Sequence, residues 1–327
     1  MPVKNQNKTP LVSIVIPCYN QKPDFLFQAV RSALNQTYSD IQVIVSDNHS
    51  TNGCIDVLSQ IEDDRLIQVK PESHLQLVAH FGFAASNINT KYLSFLSSDD
   101  LVSHDFVEKL LPTLENNPQI VMSFGEIENV RHDDISVIRY VYRNNSQQTQ
   151  IFDYANYIKK ILKFSREIGW MPGSLIKTDT FYKVGGINRD NLFYSADYSL
   201  LLRLLELGSV YYLNHVTGKN RSWMSVHGKT DAVRIVKSIE DYKKLKLIML
   251  ETKSNLSDDI NHGFERLKYK QAVLFAWHAG NKELSSEEIK KVKYDEYFGN
   301  WKLKLLINLL LFKPVNIAMR YALRNKL

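Results

Sequence analysis

Cysteine is nearly absent: the 327-residue chain has two, Cys18 and Cys54. Two thiols do not make a secreted disulfide framework, and a reducing compartment suits them better. Glycine and proline are scarce, at 13 and 9 residues, which excludes collagen-like and low-complexity chains. No Gly-x-Gly-x-x-Gly follows a strand, and no Gly-Lys-Ser/Thr loop occurs anywhere. Both absences weigh against dinucleotide-dependent dehydrogenases and P-loop nucleotide triphosphatases. Long apolar runs are missing as well. The longest, Leu303 to Phe312, is broken by Lys304 and Asn308 and is too short to span a bilayer. The polar start MPVKNQNKTP lacks the apolar segment of a secretory signal, so a cytoplasmic protein is expected.

Acidic residues are absent from residues 301–327. That segment holds six basic ones, Lys302, Lys304, Lys313, Arg320, Arg324 and Lys326. The whole chain has 41 Lys+Arg against 35 Asp+Glu, a net +6, so residues 1–300 balance to zero. A neutral body does not coat nucleic acid, and no nucleic-acid partner is expected. An apolar content of 44% fills a sizeable core, and the length suits one large or two smaller domains.

What is present is an alternation. Leu11 to Pro17 is a short β-branched run of the kind found in buried parallel strands. Apolar residues repeat at helical spacing from Asp24 to Gln36. Further strands are expected at Ile41 to Ser46, Arg65 to Val69, Tyr92 to Leu96 and Ile120 to Phe124. Helices are expected at Cys54 to Ile61, Leu75 to Ile88 and, capped by Ser103, up to Glu115. Residues 131–165 read as irregular, then helical from Asp153 to Leu162. Residues 169–187, punctuated by Gly and Pro, read as loops around a site. Asp197 to Leu207 is a helix and Val210 to Leu213 a strand; from Lys229 onward the pattern is helical. The expected fold is α/β: a Rossmann-like open, mostly parallel sheet with helices on both faces, followed by a helical C-terminal region. The division is 1–228, with halves at about 1–130 and 131–228, then 229–327.

In such sheets ligands bind at the carboxyl ends of the strands. Those ends read Pro17-Cys18-Tyr19-Asn20, Ser46-Asp47-Asn48-His49-Ser50 and Ser97-Ser98-Asp99-Asp100. The Asp-Asn-x-Ser run also suits an Asx turn, and Asp99-Asp100 also suits a helix start. A nucleotidyltransferase would carry a Gly-rich, basic loop after the first strand, which Pro17–Asn20 is not.

Five blocks resemble glycosyltransferase family 2, the inverting nucleotide-sugar transferases of the GT-A fold. They are Val12–Asn20; Gln36–Tyr38 with Val43–Thr51; Tyr92–Asp100; Met171–Ser174 with Val184–Ile187; and Ala196-Asp197 with Leu202-Arg203. They span about residues 11 to 230, in the family's order. The resemblance implies a glycosyltransferase that moves a sugar from a UDP- or dTDP-sugar to a saccharide acceptor hydroxyl with inversion. It implies Asp197 as general base, Asp99 as ligand of Mn2+ or Mg2+, and His227 as a weaker one. Nucleotide contacts fall on Pro17, Tyr19, Asp47, Asn48 and Ser98. The acceptor or sugar pocket falls on Trp170, Met171, Gly173 and Ala196, and phosphate contacts on Arg221 and Lys229. Departures are Ser97 for the first acid of the family's Asp-x-Asp, Ala196 for a Glu before the base, and Phe81-Gly82 for Arg-Asn. Because two acidic residues are replaced, a catalytically degenerate scaffold subunit is the alternative.

The tail stands apart. Leu303, Leu306, Ile307, Leu310 and Leu311 repeat at helical spacing among the cations. That pattern fits either a helix in an anionic membrane surface or one packed on the protein or on a second copy. The first would place the enzyme at the inner face of the plasma membrane, beside an acceptor linked to a polyprenyl lipid.

Overall fold

In the computed structural model the described residues are 11–130, 137–140, 149–164, 171–193, 195–221 and 228–265, with isolated positions beyond. The strands are β1 Val12–Cys18, β2 Ile41–Asp47, β3 Leu66–Val69, β4 Tyr92–Phe95, β5 Leu101–Val102, β6 Ile120–Val130, β7 Val137–Tyr140, β8 Gln150–Phe152, β9 Ser174–Lys177 and β10 Ser209–Arg221. The helices are α1 Pro23–Leu34, α2 Leu77–Ser86, α3 Phe106–Asn116, α4 Tyr154–Phe164, α5 Thr178–Lys183, α6 Ala196–Leu207 and α7 Gly228–Thr252, with a 3-10 turn at Cys54–Gln60.

The chain divides into two compact units. One comprises residues 1–154, 167–191 and 196–222; the other comprises 155–166, 192–195 and 223–327. The first unit holds an open sheet in the order β3-β2-β1-β4-β9-β6-β10-β5, with β7 beside β6 and β8 beside β10. β3, β2, β1 and β4 pair in parallel, as do β6 and β10. β9 lies antiparallel between β4 and β6.

β1 is buried along its whole length because β2 and β4 flank it and helices cover both faces. α1 starts at a proline, whose missing N–H costs nothing in the first turn. Phe25, Leu26, Ala29, Val30, Ala33 and Leu34 form its buried stripe. That stripe joins α3 and the β1–β2 face in one core containing Val43, Val45, Leu110 and Leu114. After β1 the chain moves to β2 and β3 on one side, and later to β4 on the other. The crevice where the order reverses opens at the carboxyl ends of β1 and β4.

The structure departs from the sequence expectations in several places, among them β7 and β8 within the stretch expected to be irregular and the 3-10 turn at Cys54–Gln60. The helix expected from Ser103 starts at Phe106, with Asp105 in the N-cap position. Leu101–Val102 first pairs as β5 with Lys219 and Gly218. The Ser103 N–H then donates to the Thr217 carbonyl at 2.9 Å, so Ser103 closes the strand rather than capping the helix. Residues 174–183, expected as loop, contain β9 and α5; four residues are too few to show a period, and β9 exists through its partners β4 and β6. β6 and β10 run on to Val130 and Arg221, past the expected Phe124 and Leu213, because they pair with each other.

The second unit is described through α4 after Tyr154, residues 192–195 without Tyr194, α7 and the helical residues 257–265. Asp241 on α7 is buried and accepts the N–H groups of Phe193 and Ser195 at 2.9 and 3.0 Å. Among the described residues no helix is long and apolar enough to cross a membrane. Of the basic amphipathic tail, Leu305, Ile307 and Asn308 are described and helical; the rest of it lies outside the described residues.

Candidate active site

Three strand ends meet at the crevice. After β1, Asn20 takes a left-handed turn at φ 46°, which asparagine tolerates. Its Oδ1 accepts the Thr51 N–H at 2.7 Å, and its own N–H donates to Ser50 Oγ at 2.9 Å. The loops after β1 and β2 are thereby latched together. Pro17 lies buried within β1, opposite Ser46. Tyr19 emerges beside them, 50% exposed, with its ring centroid 4.6 Å from that of His74.

Asp47 ends β2. Its Oδ1 accepts the Ser50 N–H at 2.9 Å and its Oδ2 lies 3.2 Å from Lys70 Nζ. Burial alone would raise this carboxyl. The Ser50 hydrogen bonds and the Lys70 ammonium outweigh it and hold the group below the usual carboxylate range. Asn48 is buried, and its amide is committed to the backbone of Leu75: Oδ1 accepts the Leu75 N–H and Nδ2 donates to the Leu75 carbonyl, both at 2.8 Å. This side chain, one of the five expected nucleotide contacts, thus clamps the segment that carries His74. Behind it, His80 is buried on α2, 2.9 Å from Ser46 Oγ.

The β4 end carries Ser98, Asp99 and Asp100. Ser98 is nearly buried and its Oγ accepts from Gln21 Nε2 at 3.3 Å. Asp100 is buried and its Oδ1 accepts the Arg221 N–H at 3.0 Å. Burial and the neighbouring Asp99 charge push the Asp100 carboxyl well above the usual range, against the pull of Arg221 and Ser97. Asp99 is half-buried. Its backbone carbonyl accepts from the guanidinium of Arg221, which also donates to Gln28 and lies 4.3 Å over the Phe25 ring. Arg221 was expected to reach for phosphate; at 1% exposure it instead ties the Asp99 loop to α1 and β10. Among the described residues no three His, Cys, Asp or Glu gather into a metal-holding group.

Asp197 lies in the first turn of α6, half-buried, with Oδ1 accepting the Tyr198 N–H at 2.8 Å. α6 leads directly into β10, so over its 12 residues it runs back by about 18 Å. Its N-terminus therefore returns to the carboxyl edge of the sheet, the edge that carries Asp99. Ala196 beside it is buried. Two motif blocks distant in sequence meet here: Arg203 on α6 donates to the Val184 carbonyl and pairs with Asp190 at 2.9 Å. Ser199 also donates to Asp190.

Met171 is half-buried and precedes a cis peptide bond to Pro172. Gly173 has φ +77°, and a Cβ there would stand 2.3 Å from the Thr217 carbonyl oxygen. Trp170 and His227, and the side chain of Lys229, lie outside the described residues. Sequence reasoning missed His74, Lys70, His80 and Asp241. Each is a lone polar residue with no periodic signal, and each acquires its partner only through the fold.

Residues 13–173 match the sequence profile of Glycosyl transferase family 2. The chain carries a family 2 glycosyltransferase domain. This glycosyltransferase is 26% identical over 246 residues to an uncharacterized glycosyltransferase of Rickettsia typhi, covering 74% of this chain and 72% of that one. A 90-residue stretch is 38% identical to WfaP of Escherichia coli, a UDP-Glc:alpha-D-GlcNAc-diphosphoundecaprenol beta-1,3-glucosyltransferase; it covers 28% of this chain and 36% of WfaP. Among solved structures, S. aureus TarS 1–349 in complex with UDP superposes with a TM-score of 0.53 at 13% identity, over 97% of this chain and 92% of that chain. At that identity the likeness is one of fold, and it places the glycosyltransferase among proteins with the same sheet.

Proposed function

We propose that this glycosyltransferase moves a sugar from a UDP- or dTDP-sugar, with inversion, to a hydroxyl of a growing bacterial cell-surface glycan. The observation that carries the reading is the shared edge: the loops with Tyr19 and Asp47, the Asp99 loop and the α6 N-terminus with Asp197 all lie at the carboxyl edge of the sheet. WfaP is named for a UDP-sugar donor and a lipid diphosphate acceptor, and TarS binds UDP; both support a nucleotide donor. Tyr19 offers a ring for the base to stack on. Asp197 accepts the proton of the acceptor hydroxyl as its oxygen bonds the sugar's anomeric carbon. The bond from that carbon to the diphosphate breaks, and its electron pair leaves with the phosphate. A carboxylate at an α-helix N-terminus is kept ionised by the backbone dipoles, as a base must be.

Mn2+ or Mg2+ fits the residues present. Such ions are held by one or two carboxylates, the remaining positions going to substrate phosphates and water. Asp99 with the Ser98 hydroxyl matches that donor set, while Asp100 is committed to Arg221. A bound ion supplies positive charge beside the departing diphosphate. His227 is a further candidate ligand. The catalytic part is taken to extend to about residue 228, and the sequence pattern of residues 229–327 is that of a separate helical region. Its basic end rests on the inner membrane face, where a polyprenyl-linked acceptor would lie.

The test is donor hydrolysis and sugar transfer with UDP- and dTDP-sugars in the presence of Mn2+. Asp197→Asn is expected to lower turnover at least about 100-fold while melting with the wild type. Product of retained anomeric configuration, read by NMR, would overturn the single-base mechanism. Folded wild type that turns over no donor would favour the binding-subunit role.

A further inference from the structure

α7 carries a carboxylate on a face that is otherwise apolar. Asp241, Leu245 and Met249 follow one another at i, i+4 and i+8, so they share one side of the helix. All three are buried. A carboxylate in such a place costs free energy unless hydrogen bonds compensate it. Here the donors come from a distant segment: Asp241 Oδ2 accepts the Phe193 N–H at 2.9 Å and the Ser195 N–H at 3.0 Å. The three residues belong to the same compact unit. Position 241 lies well beyond residues 13–173, which match the family profile.

What Asp241 holds is the run-in to α6. Ser195 directly precedes Ala196, the first residue of that helix, and Asp197 follows in its first turn. The Ser195 hydroxyl is buried and has no hydrogen-bond partner among the described residues, so its side chain does not cap α6. The point at which the chain enters the helix is set instead by the two backbone donors that Asp241 holds. Two residues of chain span at most about 7 Å, which leaves little slack between the Ser195 amide and Asp197. The donor side is held by other groups. Asn20 latches the loops after β1 and β2, and Arg221 holds the Asp99 loop.

We propose that Asp241 is a positioning residue for sugar transfer: by pinning the Phe193 and Ser195 amides it sets where Asp197 stands at the head of α6. The inference rests on Asp197 as the general base and deepens that reading, because it gives the C-terminal helical region a part in catalysis. A base works only within hydrogen-bonding reach of the proton it takes, and a displacement of about 1 Å can cost about 100-fold in rate. Nucleotide contacts lie on loops that Asn20 and Arg221 hold, so releasing the α6 entry lowers kcat and leaves donor affinity in place.

The experiment is steady-state hydrolysis by the full chain of whichever UDP- or dTDP-sugar the wild type turns over fastest with Mn2+, beside calorimetric titration with UDP or dTDP to match. Each variant is assayed well below its own melting temperature. Asp241→Ala is expected to lower kcat about tenfold or more, with the donor KM and the nucleotide Kd within about twofold of wild type. Asp241→Asn puts an amide oxygen where Oδ2 stood and recovers kcat to within about threefold. Asp241→Ala placed on Asp197→Asn lowers kcat no further, since the two act through one group. Wild-type kcat in Asp241→Ala overturns the proposal, and so does an equal loss of kcat and nucleotide binding. Where Asp241→Ala does not fold, Asp241→Glu decides: it keeps the carboxylate one methylene further out, so kcat falls with the melting temperature held, and wild-type kcat there overturns the proposal. An impaired Asp197→Asn beside unimpaired Asp241 variants overturns this inference alone. Wild-type turnover in Asp197→Asn, or no turnover in the wild type, overturns the base reading and this inference with it.

Discussion

His80 shows what one buried side chain does to the whole protein. It is 2% exposed and hydrogen-bonded to Ser46. Burial, with the nearby His74 adding to it and Asp47 opposing it, lowers its pKa from 6.5 to about 4. As pH falls, the unfolded chain therefore takes the proton first. The contribution to stability is complete above pH 6.5 and is lost as pH falls from there to about 4. For a shift of this size the loss amounts to about 3 kcal/mol. Wild type is expected to lose more melting temperature between pH 7 and 4.5 than His80→Gln, which keeps a polar contact to Ser46 without the titration. Equal losses in the two proteins would show that other groups carry the acid sensitivity. The thiols of Cys18 and Cys54 lie 3.7 Å apart in the same region, where burial and the neighbouring Cys54 raise the Cys18 pKa and keep that thiol protonated.

At the scale of elements, β10 organises two loops at the edge of the sheet. Its register against β6 shifts between Tyr212 and Val216 and again before Gly218, a bulge that bends the strand. The bulge presses onto Gly125, where a Cβ would meet Thr217 Cγ2 at 2.3 Å, and onto the turn at Gly173. The backbone of Thr217 thus seats the Met171–Gly173 turn on the sheet. Gly173→Ala adds a methyl where the backbone leaves no room and where φ is positive, so it is expected to destabilise the fold by at least about 2 kcal/mol. A urea titration measures this; an unchanged midpoint would mean that the turn relaxes freely. At the far end of β10, Arg221 holds the Asp99 carbonyl and the Asp100 carboxyl. One strand therefore holds both the Met171–Gly173 turn and the Asp99 loop.

The whole molecule separates charge from catalysis. Residues 1–300 sum to zero and the +6 resides in residues 301–327. A neutral body with Asp47, Asp99 and Asp197 along one sheet edge suits a cation and a diphosphate, and a basic end suits an anionic surface. Deleting residues 301–327 is expected to abolish sedimentation with phosphatidylglycerol vesicles and to leave donor hydrolysis within about twofold, since no candidate site residue is removed. Vesicle binding that persists after the deletion would place the membrane contact elsewhere.

The alternation of β-branched runs with 3.6-residue patterns determined the parallel half of the sheet, β1 to β4, and with it the edge on which the polar strand ends collect. Local periodicity was enough there because each element buries its own stripe. The motif at Asp99 and the position of Asp197 at a helix start were legible for the same reason: each lies next to a strongly patterned element. Short or irregular pieces were not legible. β9 has four residues and β5 two, and both exist through ladders to strands far away in sequence. Only the tertiary structure decided that Asn48 clamps Leu75, that Asp100 serves Arg221 and that His74 packs against Tyr19. A polar side chain has several possible partners in a sequence, and long-range packing chooses among them by what it buries and what it leaves within hydrogen-bonding distance.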